Sequence, residues 1–90
     1  MSREDLTRAA DLLREASAGI VNESVAERAA GTAGRLERVA DADRGPDHGQ
    51  LARIENTLRE IEAETDGETT RTVVEAHEHL SAYRATVEGV

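Results

Sequence analysis

The fold is decided by the stretch Asp43-Arg44-Gly45-Pro46-Asp47-His48-Gly49, which interrupts an otherwise helix-like chain near its midpoint. This stretch contains the only proline of the 90 residues. Proline cannot continue a helix because it lacks the backbone N–H, and glycine is common just after a helix ends. The stretch therefore predicts a turn that separates residues 1–43 from residues 47–90.

Apolar residues recur at steps of three and four in both halves, which is the spacing of one helix face. We predict helices from residue 1 to about Gly19, from Asn22 to about Ala42, from Asp47 to near Gly67, and from about Glu68 onward. The predicted buried stripes are Leu6, Ala9, Leu13, Ala16 and Ile20; Val25, Ala29, Ala33, Leu36 and Ala40; Leu51, Ile54, Leu58 and Ile61; and Val73, Ala76, Leu80, Tyr83 and Val87.

Four helices of similar length joined by short turns pack most naturally as an antiparallel bundle. We therefore predict a single all-α domain, an antiparallel four-helix bundle built from two helical hairpins. The hairpins span residues 1–43 and 47–90, and the turn at residues 43–49 joins them. Because alanine supplies much of the apolar content, the core is expected to be thin and to gain from a partner subunit.

The charge balance is the strongest signal in the composition. The chain carries 19 acidic and 11 basic residues, a net charge of −8, and every basic residue is an arginine. Dense carboxylates keep a protein hydrated in molar salt, where a Debye length of about 3 Å screens their mutual repulsion. We therefore predict a salt-adapted, halophilic protein. An acidic surface also disfavours nucleic acid and anionic membranes as partners, since both require a basic footprint.

Other sequence features narrow the expected location and chemistry. The chain has no cysteine, so it offers neither a disulfide framework nor thiolate chemistry. Its apolar runs, such as residues 18–21, fall far short of the roughly 20 residues of a membrane-spanning helix, and its start lacks the regions of a signal peptide. We expect a cytoplasmic protein with no membrane partner.

No catalytic motif or inward carboxylate pair stands out, so we expect a non-enzyme without a cofactor. Carboxylates and imidazoles on bundle helices can hold a metal, but His77 and His79 lie about 200° apart around a helix and cannot share an ion. Glu75 and His79 share a face, and Glu55 or Glu62 of the third helix could complete a set with them. A metal-binding or small-ligand-binding bundle therefore stays open as an alternative, although solvated boundary residues are the default interpretation.

Two further features are candidates for binding. His48 and Gly49 lie in the first turn of the third helix, where backbone N–H groups could receive an anion. Asp47 competes for the same donors, which favours a capped turn. Ala26, Ala30 and Gly34 are spaced four apart and face away from the predicted core. Small residues at this spacing let two helices approach closely, and they predict a homodimer contact.

The features together favour a non-catalytic, salt-adapted domain that acts by protein association. Self-association as a homodimer is the simplest form, and binding to another protein is an open variant. A regulatory accessory of a larger complex is a third hypothesis, which genomic context would discriminate from the others.

Four segments also resemble those of short haloarchaeal proteins of unknown function: residues 44–49 (Arg-Gly-Pro-Asp-His-Gly), 58–60 (Leu-Arg-Glu), 82–84 (Ala-Tyr-Arg) and 87–90 (Val-Glu-Gly-Val). The resemblance covers nearly the whole chain. It implies a haloarchaeal cytoplasmic protein, in agreement with the charge, and it brings no known activity, cofactor or site residue.

Overall fold

A computed structural model describes residues 3–42 and 47–86 of the protein. These residues form four helices and no strands: α1 (Glu4–Ala18), α2 (Glu23–Asp41), α3 (His48–Ala63) and α4 (Gly67–Thr86). The all-helical prediction with four helices is therefore confirmed. The first four residues of the predicted central turn, 43–46, lie outside the described residues. α2 ends just before them and α3 begins two residues after them.

Polar caps fix where the second and third helices begin. The Asn22 side chain accepts a hydrogen bond from the backbone N–H of Val25 at 3.1 Å, so Asn22 is the predicted N-cap of α2. Asp47 caps α3, where its Oδ1 accepts from the backbone N–H of Gly49 at 2.8 Å. Both residues have extended backbone angles, as N-caps normally do.

The connection between α3 and α4 differs from the predicted one, because α3 ends at Ala63 rather than near Gly67. The N–H of Glu64 bonds the carbonyl of Ile61 at 3.0 Å, a three-residue step that tightens the last turn of α3. The hydroxyls of Thr65 and Thr70 then bond each other across the connection at 2.7 Å. Gly67 starts α4 with φ +61°, a left-handed conformation that favours glycine.

One apolar core joins all four helices. The predicted stripes supply it, and within the described residues only Ile20 and Ala40 of those stripes are partly exposed at its edge. Tyr83, the single aromatic residue, is buried with 6% of its surface exposed, as predicted for a core residue. Val87 lies outside the described residues. The buried apolar residues are Leu6, Ala9, Ala10, Leu12, Leu13, Ala16, Val25, Ala29, Ala33, Leu36, Val39, Leu51, Ile54, Leu58, Ile61, Val73, Ala76, Leu80 and Tyr83.

Each helix packs against two others. α1 packs against α2 and α4, while α3 packs against α4 and α2. Polar contacts tie these neighbours at the surface. Arg14 of α1 forms a two-pronged ion pair with Glu37 of α2, with nitrogen–oxygen distances of 2.5 and 2.9 Å. Arg28 of α2 reaches Glu64 just beyond α3 at 3.7 Å. Arginine–carboxylate pairs therefore link α1 to α2, and α2 to the end of α3, at the surface.

Candidate functional site

The densest polar arrangement lies where α3 meets α4, and it consists of Glu55, Glu62, His77 and Arg84. We call these four residues the His77 cluster. Glu55 and Glu62 are seven residues apart on α3, and so are His77 and Arg84 on α4. Seven residues are close to two helical turns, so each pair shares one face of its helix. The two carboxylates of α3 therefore face His77 and Arg84 of α4.

His77 lies between the two carboxylates. Its Nδ1 is 2.7 Å from Glu62 Oε2, and its Nε2 is 2.9 Å from Glu55 Oε2. Glu55 has three further partners. Arg84 Nη1 donates a hydrogen bond to its Oε1, and Ser81 Oγ donates one to its Oε2 at 3.3 Å. Arg59 Nη2 forms an ion pair with Oε2 at 3.6 Å. The imidazole and the guanidinium together hold both carboxylates in place.

Both ring nitrogens of His77 lie within hydrogen-bonding distance of a carboxylate oxygen. An ionised carboxylate only accepts hydrogen bonds, so each of these bonds requires a proton on the ring nitrogen. Hydrogen bonds to an ionised carboxylate are stronger than neutral ones. The cluster is partly shielded from solvent, since the side chains of Glu55 and His77 are 12% and 17% exposed and those of Glu62 and Arg84 are 23% and 32% exposed.

The pKa of Glu55 is lower than that of a free glutamate. Burial by itself raises this pKa, but the hydrogen bonds from His77 and Arg84, with the positive charges of both, outweigh burial and lower it. Glu55 therefore stays ionised to a lower pH than a free glutamate does. The lowered value is also a statement about stability, because a group that binds protons less readily when folded stabilises the folded chain once it is ionised.

We expect the stabilisation by Glu55 to be present above the ordinary glutamate pKa of 4.5 and to be lost as the pH falls through the lower value in the folded chain. Thermal melts from pH 7 to pH 2 would measure this. The Glu55→Gln variant should start from a lower Tm at pH 7 and lose less Tm on acidification than the unsubstituted chain. Parallel curves for the two proteins would contradict the prediction.

The His77 cluster is poorly arranged to hold a metal ion. Glu55 and Glu62 contact opposite nitrogens of the imidazole, and one ion can coordinate only one of those nitrogens. Arg84 also brings a positive charge to Glu55, where it would repel a cation. Residues 3–42 and 47–86 contain no group of three or more His, Asp or Glu side chains placed to bind a metal. The arrangement instead joins α3 to α4 through hydrogen bonds and ion pairs.

The predicted pair Glu75 and His79 lies elsewhere on α4. His79 faces α1, where its Nδ1 is 2.9 Å from Asp5 Oδ1, and Glu75 is exposed to solvent. The structure does not bring this pair to Glu55 and Glu62, which contact His77 instead. The prediction that the two histidines lie on opposite sides of α4 agrees with these contacts, since His77 faces α3 and His79 faces α1.

The structure places His48 and Gly49 in the first turn of α3, as predicted. The Asp47 carboxylate accepts the hydrogen bond from the backbone N–H of Gly49, so one of the donors that an anion would need is already engaged. A Cβ at Gly49 would lie 3.3 Å from Asp47 Oδ1, which is tighter than an ordinary contact. Glycine at this position therefore gives the capping side chain room to approach the backbone.

The predicted small-residue face of α2 lies at the surface. Ala30 is exposed, while Ala26 and Gly34 are half-buried. A Cβ added at Gly34 would meet only the guanidinium of Arg38, at 3.8 Å, and a Cβ added at Gly31 would meet nothing within 4 Å. Neither glycine of α2 is therefore required by packing against the described residues of its own chain.

A shallow surface depression of about 450 Å³ lies between the α1–α2 and α3–α4 connections. It is lined by residues 19–22 on one side and 64–66 with Thr69 on the other. Val21 at its rim is 97% exposed, the most exposed large apolar side chain of the described residues. The lining is half polar and open to solvent, and it brings together no catalytic pair.

Residues 1–86 match DUF7553, a family of unknown function. The chain belongs to this family. The match covers nearly the whole chain and confirms the resemblance to a family of unknown function. No curated protein and no solved structure matches the chain.

The DUF7553 chain has no membrane-spanning helix among its described residues, since none of the four helices combines sufficient length with sufficient hydropathy. From the sequence, Glu55 and Glu62 were expected beside His79, whereas they contact His77, and Arg84 had no predicted role. The signal that could have found the His77 cluster is the shared spacing of seven: two acids on α3 and two bases on α4 at the same interval.

Proposed function

We propose that this DUF7553 member is a non-catalytic protein-association domain, adapted to high salt, that acts as a homodimer in a haloarchaeal cytoplasm. The observation that carries the proposal is the outer face of α2. Ala26, Ala30 and Gly34 form a surface of small side chains, and the open space at Gly31 extends it. A helix-interior glycine costs up to about 1 kcal/mol relative to alanine, so two surface glycines without an intrachain packing role favour a contact with another chain.

The chemistry of the polar residues supports a non-catalytic role. Both ring nitrogens of His77 and the carboxylates beside it are committed to one another, so none of them is available as an acid or a base for a substrate. His79 is engaged with Asp5 on α1. The alternative of a metal-binding bundle built on Glu75 and His79 has less support, because the acids of α3 lie on the other side of α4.

We further propose the antiparallel arrangement of two hairpins for the bundle. Contacts between helix ends support it. Arg3 at the start of α1 donates to the carbonyl of Ala40 near the end of α2 at 3.2 Å, and Asp5 contacts His79 in the second half of α4. Gly19, just after α1, lies beside Thr69 in the first turn of α4. These contacts fit neighbouring helices that run in opposite directions.

Size-exclusion chromatography with light scattering in molar salt tests the homodimer. We expect a mass of twice the 9.7 kDa chain at micromolar concentration. Ala30→Arg tests whether the small residues of α2 form the dimer contact. It places a long charged side chain among them and should shift the mass toward the monomer. Glu15→Arg on α1, which exchanges one exposed side chain for arginine elsewhere, serves as the control. A strict monomer in the unsubstituted chain would exclude the homodimer.

We expect the domain to loosen or unfold when it is diluted from molar into low-millimolar salt. The carboxylates outnumber the arginines by eight, and their mutual repulsion grows as screening weakens. Circular dichroism at 222 nm and thermal melts across a salt titration would measure the effect. A helical signal and Tm that stay flat down to low-millimolar salt would contradict the salt-adapted part of the proposal.

A further inference from the structure

The most exposed face of α2 carries two charges and two glycines in a self-complementary order. Glu27, Gly31, Gly34 and Arg38 follow one another at steps of four, three and four, so they lie on one narrow line along the helix. Glu27 and Arg38 are exposed, and neither forms an ion pair with any residue that the structure describes. We call this line the α2 stripe.

We propose that two copies of the chain pair through the α2 stripe in antiparallel orientation, with Glu27 of each copy against Arg38 of the other. This proposal rests on the homodimer proposed above and specifies its geometry. The stripe is symmetric about the point midway between Gly31 and Gly34. A two-fold axis through that point brings Gly31 opposite Gly34 of the second copy, and it brings each Glu27 level with an Arg38.

The charges select this orientation over the parallel one. Glu27 and Arg38 are eleven residues apart, about 16 Å along the helix. In a parallel pair each charge would face its own like charge, whereas in an antiparallel pair both contacts join opposite charges. The antiparallel orientation also aligns the two helix dipoles favourably. The α2 stripe therefore fits a second copy of the same chain in one direction only.

The glycines explain how the backbones could approach closely enough. At the centre of the stripe neither glycine presents a side chain, and the nearest side-chain atom is the guanidinium of Arg38, which lies back over Gly34. In the dimer that guanidinium would turn outward to the Glu27 carboxylate of the second copy. The predicted small residues Ala26 and Ala30 then border the contact on one side.

Charge exchange tests the pairing. Glu27→Arg and Arg38→Glu each replace two attractive contacts by two repulsive ones, so each variant should weaken dimerisation at least about tenfold. The double variant E27R/R38E restores opposite charges across the interface and should dimerise within about threefold of the original chain. Arg71→Glu and Glu78→Arg, exposed positions on α4, repeat the single charge changes away from the stripe and should leave the dimer constant unchanged.

Disulfide cross-linking tests the orientation independently, because the chain has no cysteine of its own. Glu27→Cys and Arg38→Cys should each give little cross-linked dimer alone and abundant cross-linked dimer when mixed and oxidised. Cross-linking of Glu27→Cys with itself would show a parallel pair and overturn the proposal. A dimer that ignores the charge exchanges would overturn it while leaving the homodimer intact, and a strictly monomeric chain would overturn both.

Discussion

Replacing Leu58 with alanine is expected to cost about 2–5 kcal/mol of the free energy of unfolding, the range for a fully buried leucine. Leu58 has no exposed surface, and it is one of only four buried side chains that attach α3 to the core. Small domains are stable by about 5–15 kcal/mol in total, so this single change removes a large share. Urea unfolding followed by circular dichroism in molar salt would measure it.

Val21→Ala is the control for the loss of apolar volume at a position outside the core. Because Val21 is 97% exposed, removing its methyl groups should change the free energy of unfolding by no more than about 0.5 kcal/mol. Equal losses for Leu58→Ala and Val21→Ala would mean that the core is not where the structure places it.

Replacing Glu55 with alanine is expected to cost about 2 kcal/mol, because its carboxylate accepts hydrogen bonds from both His77 and Arg84. The substitution removes the carboxylate that both His77 and Arg84 contact, and it leaves these partly buried groups without that partner. Thermal and urea melts near pH 7 would measure the change. The Glu55→Gln variant keeps the shape and removes the charge, so it separates electrostatics from packing.

Glu60→Ala is the matched control on the same helix. Glu60 is an exposed glutamate whose nearest cation, Arg28, lies 3.9 Å away, so its removal should cost less than about 0.5 kcal/mol. A double-mutant cycle on Glu55 and Arg84 should give a coupling energy between about 0.5 and 3 kcal/mol. A coupling near zero would show that the His77 cluster does not act as one unit.

The spacing of apolar residues predicts most of the fold, because a helix in a thin bundle has only one way to bury its large side chains. Leu51, Ile54, Leu58 and Ile61 show this best, since all four are fully buried. The end of α3 was harder to predict. A hydroxyl pair, Thr65 with Thr70, joins the residues before and after Gly67, and no periodic pattern reveals such a bond.

The candidate site was less predictable from the sequence than the fold. Helical geometry correctly separates His77 from His79, but it does not say which neighbouring helix lies on which side of α4. That choice depends on the packing of the whole bundle, and it determines whether Glu55 and Glu62 meet His77 or His79. A boundary residue is therefore assigned to a face by periodicity, while its partner is assigned only by the tertiary structure.

The buried tyrosine is also a spectroscopic probe of the core. The chain has no tryptophan and no phenylalanine, so Tyr83 is its sole chromophore in the near ultraviolet. This ring lies in the core on α4, one residue before Arg84 of the His77 cluster. Near-ultraviolet circular dichroism and tyrosine fluorescence therefore observe a single place in the molecule. Both signals report how closely α4 packs in the core, and they need neither a label nor a substitution.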